Sequence, residues 1–265
     1  MFTSWRLGRV LGFPVEINLS FVLLLALVFF AFGGLAGVII TCIAFASVLL
    51  HELGHALVAR RLGVPIAGIE LSFFGGAAKM TQMPRSADHE IAIAAAGPAV
   101  SLMLGGLGLG LGLMFHSPLL ARIGEINFVL AAFNLIPALP MDGGRILRAL
   151  LTRKVDFVRA TDIAVQVSRV VAVGFGILGL FGAYQLLVLA PLLWLMGSRE
   201  QVMARAMADQ YAGWGGSGGY RRGRGPFDGG PRDPGGFGGF TRTADRPPRF
   251  TIRQIGGRLV IEAIE

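Results

Sequence analysis

Apolar residues fall along this chain in long blocks divided by short polar stretches. One block runs from Ile17 to about Leu35, and a second from about Gly37 to Ala59, where Arg60 and Arg61 stop it. A third occupies about Ile91 to Phe115, a fourth begins near Ile123 and turns irregular at Asn134, and Ile163 to Met196 is long enough for two. A helix needs about 20 apolar residues to cross a bilayer. The pattern therefore predicts an all-α polytopic membrane protein of about six transmembrane helices, over residues 17–35, 37–59, 91–115, 123–150, 163–181 and 184–197. The first block follows Arg6 and Arg9 as a signal peptide would. It is too long for an h-region, lacks a small-x-small cleavage site and leads straight into more apolar sequence, so it reads as an uncleaved span.

Between the second and third blocks, Ile66 to Met80 partly alternates and carries Gly75-Gly76, which reads as a short membrane-associated β element or as an ordinary loop. The Gly-dense stretch Gly105, Gly106, Gly108, Gly110 and Gly112 contains the small-xxx-small spacing of closely packed helices. Gly174-x-Gly176-x-x-Gly179 matches a dinucleotide fingerprint only formally, because it lies inside an apolar run.

Composition divides this picture in two. Of the 265 residues, 54% are hydrophobic and 15% charged, with mean hydropathy +0.65. Soluble proteins carry roughly 25% charged residues, so a soluble globular fold is excluded. Residues 1–198 hold nearly all the apolar runs, whereas 199–248 read as a Gly/Arg/Pro-rich disordered linker and 249–265 as a β-hairpin around Gly256-Gly257. The net charge of +8 splits evenly, with 13 Lys+Arg against 9 Asp+Glu up to residue 198 and 11 against 7 beyond it. Orientation follows Lys and Arg in short loops. Arg6, Arg9, Arg60, Arg61, Lys79, Arg85 and the Arg145 to Arg159 group fall on one side and Arg122 alone in the loops of the other. The expectation is a multi-pass protein of the cell (inner) membrane with its N-terminus, tail and active site toward the cytoplasm. Cys42 is the only cysteine, which excludes disulfides and cysteine-based zinc modules.

Ionisable residues inside an apolar span are costly and mark function. The second block holds His51, Glu52 and His55 in His-Glu-Leu-Gly-His. On a helix the i, i+4 spacing puts both imidazoles on one face, where they can ligate one metal ion while Glu52 acts as general base. A catalytic zinc normally takes three protein ligands. The leading third candidate is Asp142, which follows Pro137 and Pro140 and precedes Gly143-Gly144 in a broken span; irregular backbone at membrane depth marks a site. Its other reading is a helix N-cap. His55 precedes Arg60 by five residues and Asp142 precedes Arg145 by three, so both sit modestly inside the same face.

These paired motifs, His51-Glu52-x-x-His55 and Asn134-x-x-Pro137-x-x-x-x-Asp142-Gly143, resemble those of the site-2 protease family of intramembrane zinc metalloproteases. Gly12-Phe13-Pro14-Val15, Gly75-Gly76 and Ala96-Gly97-Pro98 extend the resemblance, which is to the compact bacterial branch of the sporulation-factor-processing protease. It implies one Zn²⁺ per chain on His51, His55 and Asp142, Glu52 as catalytic base, and Asn134 engaging substrate. The β element with Gly75 and Gly76 offers a strand edge to an unwound substrate. The implied activity is hydrolysis of peptide bonds in or near the transmembrane segments of membrane-anchored regulators or signal-peptide remnants. Partners are then transmembrane protein or peptide substrates and the lipid bilayer, with a regulatory partner on the tail and a second copy of the chain kept open, and nucleic acid not expected. The chain departs from the pattern in that no stretch between the spans is long enough for the PDZ domain of some relatives, the tail does not resemble the paired CBS domains of others, and Asn18 stands where relatives often have His. The alternative class is a membrane zinc transporter or ion-binding channel-like protein.

Overall fold

A computed structural model describes residues 4–31, 34–73, 75–82, 84, 86–214, 249–255 and 258–264. The first of two units begins with β1 (Ser4–Val10), β2 (Phe13–Asn18), α1 (Leu19–Ala31) and α2 (Gly34–Arg61), then β3 (Ile66–Ser72) and β4 (Gly75–Met80). It continues through α3 (Ala87–Met114), α4 (Pro118–Asn134), α5 (Asp142–Leu151), α6 (Phe157–Leu180) and α7 (Gln185–Trp214). The second unit holds β5 (Arg249–Ile255) and β6 (Arg258–Ile264), paired antiparallel with Ile255 opposite Arg258. The expected linker from residue 215 to 248 lies outside the described residues.

Among the described residues, four helices are long and apolar enough to cross a membrane: α2, α3, α6 and residues Gln185–Ala206 of α7. At 13 and 17 residues, α1 and α4 fall short of the roughly 20 a full crossing needs. The block expected as one helix over 123–150 is instead α4 and α5, because Pro137 and Pro140 cannot continue a helix. α7 runs on through residues 199–214, which composition assigns to the linker. Its good helix formers find partners there: Gln201 Nε2 donates to Asp162 Oδ1 of α6 at 2.6 Å, and Arg205 Nη2 to the same oxygen at 3.2 Å. α3 and α4 touch through their backbones. A Cβ on Gly108 would sit 2.6 Å from the Gly124 amide nitrogen, and one on Gly112 2.6 Å from that of Ala121, so the small residues are what permit this packing.

The β element is larger than expected, a four-stranded sheet in the order β1-β2-β3-β4. β2 and β3 pair in parallel, Val15 opposite Ile69, across the crossover made by α1 and α2, while the outer pairs are antiparallel. Asn18 joins the pieces: its Oδ1 accepts the Ser20 amide at the start of α1, and its Nδ2 donates to Glu70 Oε1. Lys79 Nζ lies 2.7 Å from Glu70 Oε2 and 3.2 Å from Glu16 Oε2. Its hydrogen bonds hold both carboxyls below their usual range. The apolar face of the sheet, with Phe13 and Ile69, packs on Leu53 and Ala56 of α2. Successive positions of one helical turn thus serve two purposes, Leu53 and Ala56 facing the sheet and His51 and His55 turned away from it.

Candidate metal centre

His51 and His55 lie one turn apart on α2, their ring centroids 4.8 Å apart and both side chains buried. Asp142 reaches them from the first residue of α5. Its Oδ2 is 3.1 Å from His51 Nε2 and 3.2 Å from His55 Nε2. The N-cap of α5 is Met141, and no side chain caps it, so the carboxylate of Asp142 points to the histidines rather than serving as a cap. Gly143 and Gly144 make this possible. A Cβ on either would collide with the 135–139 backbone, so only glycine lets the first turn of α5 rest on the turn that precedes it. Leu139, fully buried there, donates its amide to Ser168 Oγ of α6 at 2.7 Å.

The remaining ring nitrogens decide what the cluster can bind. His55 Nδ1 lies 2.6 Å from the carbonyl of Ile93. A carbonyl only accepts, so Nδ1 carries the proton, and in the neutral ring Nε2 presents a lone pair to the carboxylate of Asp142. At 3.2 Å the two atoms can share a proton on the imidazolium or, with the ring neutral, a metal cation that both ligate. The donor set suits zinc: ligand atoms about 2.0–2.2 Å from a tetrahedral ion lie about 3.3 Å apart. Gly97 on α3 supplies the space, since a Cβ there would sit 2.6 Å from His51 Nε2 and overlap the His55 ring. Glu52 offers a carboxylate oxygen within 4.8 Å of the ring nitrogens. Asp142 is the closer carboxylate, and Glu52 is held elsewhere: its Oε2 accepts the Ala78 amide of β4 at 2.9 Å.

Gly76 packs directly on that glutamate, where a Cβ would sit 2.7 Å from Glu52 Cγ, and Gly75 starts β4 at φ +116°. Asn134 is not drawn into the cluster; its Nδ2 donates to Leu130 O within α4 at 2.9 Å. His89 and His116 also stand apart, in the first turn of α3 and just beyond its end.

Three contributors are missing from the sequence reading: the Ile93 carbonyl, the Ala78 amide and Ser101, whose Oγ is 2.9 Å from His51 Nδ1. Ser101 is fully buried one turn beyond Gly97, and a lone hydroxyl at i+4 from that glycine in an apolar helix was the available signal. Partners on the second nitrogen of a ligating histidine fix its orientation. Ser101→Ala should therefore weaken zinc binding by about 10–100-fold in chelator competition; unchanged affinity would remove Ser101 from the site.

Residues 38–121 and 114–175 match Peptidase family M50. The chain is 35% identical over 206 residues to a zinc metalloprotease of Methanocaldococcus jannaschii, an alignment covering 75% of this chain and 60% of that protein. It is 30% identical over 133 residues to stage IV sporulation protein FB of Bacillus subtilis, covering 46% of this chain and 43% of that one. The chain thus spans about three fifths of the first relative's length and less of the second's. Among solved structures, the site-2 protease from Methanocaldococcus jannaschii superposes with a TM-score of 0.61 at 33% identity, over 75% of this chain and 95% of that one.

Proposed function

The chain belongs to peptidase family M50, the site-2 proteases, and from that premise we propose that it is a zinc-dependent endopeptidase cutting within or near the transmembrane segments of membrane-anchored substrates. Regulatory proteins and signal-peptide remnants are the substrate classes. The observation that carries this reading is the convergence of His51 Nε2, His55 Nε2 and Asp142 Oδ2 in a buried pocket beside a held glutamate. His51, His55 and Asp142 hold one zinc ion. Zinc supplies Lewis acidity, acidifying water and polarising the scissile carbonyl.

The protein's own groups do the rest. Glu52, anchored through one oxygen by the Ala78 amide, takes a proton from the attacking water and delivers it to the leaving nitrogen. A helical substrate shields its carbonyls in internal hydrogen bonds, so the segment to be cut must unwind first. β4 stands at the edge of the sheet next to Glu52, and an unwound segment can add to it at Gly75 and Gly76. Asn134 engages the substrate once its amide leaves the Leu130 carbonyl. With α1 and α4 embedded beside the four long helices, the chain keeps its N-terminus, tail and centre on the cytoplasmic side, as its Lys and Arg distribution supports.

One observation favours ion transport instead: Asn127 and Ser47, both buried, are hydrogen-bonded at 2.9 Å one turn of α2 outward from His51. Proteoliposomes of the full chain with a single-span reporter separate the two readings. The expected result is cleavage lost on chelation and restored by zinc, without zinc flux. Flux without cleavage would replace the protease reading with the transporter.

A further inference from the structure

Beside the metal centre lies a cleft of about 340 Å³ whose walls include Ala78 and Met80 of β4, Glu90 and Ile93 of α3, Arg145 of α5 and Glu200 of α7. Two of these belong also to the centre, since the Ala78 amide holds Glu52 and the Ile93 carbonyl holds His55. A polypeptide lying along β4 at the centre therefore continues into the cleft. Arg148 pairs with both carboxylates there. Its Nε donates to Glu90 Oε1 at 3.0 Å, its Nη2 contacts the same oxygen, and its Nη1 donates to Glu200 Oε2 at 3.3 Å.

Two polar groups are left over. Glu90 is 5% exposed and its Oε2 has no hydrogen-bond partner among the described residues. The Arg145 side chain, half-buried one turn after Asp142, makes no hydrogen bond or ion pair among the described residues, although its charge lies near enough to act on the Asp142 carboxylate. A buried acceptor without a donor and a guanidinium without a hydrogen-bonded acceptor, lining one cleft, call for a ligand that offers both a donor and an anionic acceptor. An extended peptide with an acidic side chain offers both, its main-chain N–H to Glu90 and its carboxylate to Arg145.

Building on the protease reading, we propose that this cleft receives the part of the substrate on the cytoplasmic side of the cut, and that Arg145 selects an Asp or Glu there. Arg145 lies one helical turn from Asp142 on α5, so the selected side chain falls within a few residues of the scissile bond. Glu90, fixed by Arg148, orients the segment through its main chain. The preferred substrates are thus membrane segments whose cytoplasmic flank carries an acidic residue close to the apolar stretch.

The test uses the full chain in phosphatidylcholine proteoliposomes and single-span reporters that differ only in carrying Asp, Asn or Lys at one of these flanking positions. At the best position the wild type should cleave the Asp reporter with kcat/KM about tenfold above the Lys reporter. Arg145→Glu should reverse that order and Arg145→Gln level it, with zinc content equal to wild type in both. The same order in the wild type and Arg145→Glu overturns the proposal. So does an order that follows added anionic lipid instead of the variant, or equal slowing of all three reporters with loss of zinc, which would make Arg145 a support for Asp142. Charge-blind cleavage defeats this inference alone, whereas a wild type that cleaves no reporter defeats the protease reading with it.

Discussion

Glu52→Gln should lower cleavage of a single-span reporter by about 10²–10⁴-fold and leave zinc binding intact. The substitution nearly preserves shape. A glutamine carbonyl can accept the Ala78 amide as the carboxylate does at 2.9 Å, and Gly76 leaves the same room against the side chain. What is lost is basicity, because an amide cannot take a proton from water at neutral pH. Kinetics and metal content must be measured on the same preparation, so that loss of base can be told from loss of metal. Wild-type turnover by the zinc-loaded variant would remove Glu52 from the chemistry.

Gly97→Ala should abolish activity by the opposite route, through the metal. Its methyl would enter the space that both Nε2 atoms border. Neither ring can retreat freely, since His51 is tied to Ser101 and His55 to Ile93. Overpacking of this size costs about 1–3 kcal/mol in a folded core, which a large helical protein can survive, but ligand atoms displaced by even part of an ångström no longer share an ion. Zinc affinity should fall by roughly 10²-fold or more, at least as far as on loss of an orienting partner. Gly106→Ala is the control, because it lies on the same helix with nothing within 4 Å of its Cβ and gains the same helix propensity. If Gly97→Ala held zinc as tightly as Gly106→Ala, the space between the histidines would not be a metal pocket.

How much of this was legible in the sequence depended on whether a feature was local. His51, Glu52 and His55 lie within five residues, so helical periodicity alone brings them together, and the proline break before Asp142 is equally local. The environment of those groups was not. Ser101 meets His51 across 50 positions and Ala78 meets Glu52 across 26, and such pairs follow from how α3 and β4 dock on α2. The strands β1 and β2 were hidden for the same reason, as β2 finds its parallel partner β3 only after two intervening helices. The continuation of α7 beyond residue 198 was obscured differently. Glycine and arginine content signalled the end of apolar sequence, whereas helix formation follows side-chain propensity and the partners Asp162 and Arg148 provide.

The hydrogen bond between Ala78 and Glu52 carries a rule of register for any chain that extends the sheet. An added strand seeks every outward amide of β4, and at Ala78 it finds the donor already engaged by the glutamate. Its ladder must skip a rung at that point. On the proposed strand addition, the carbonyl left unclaimed by the skipped rung would lie next to the Glu52 carboxylate, and the place where the pairing fails would set the position of cleavage.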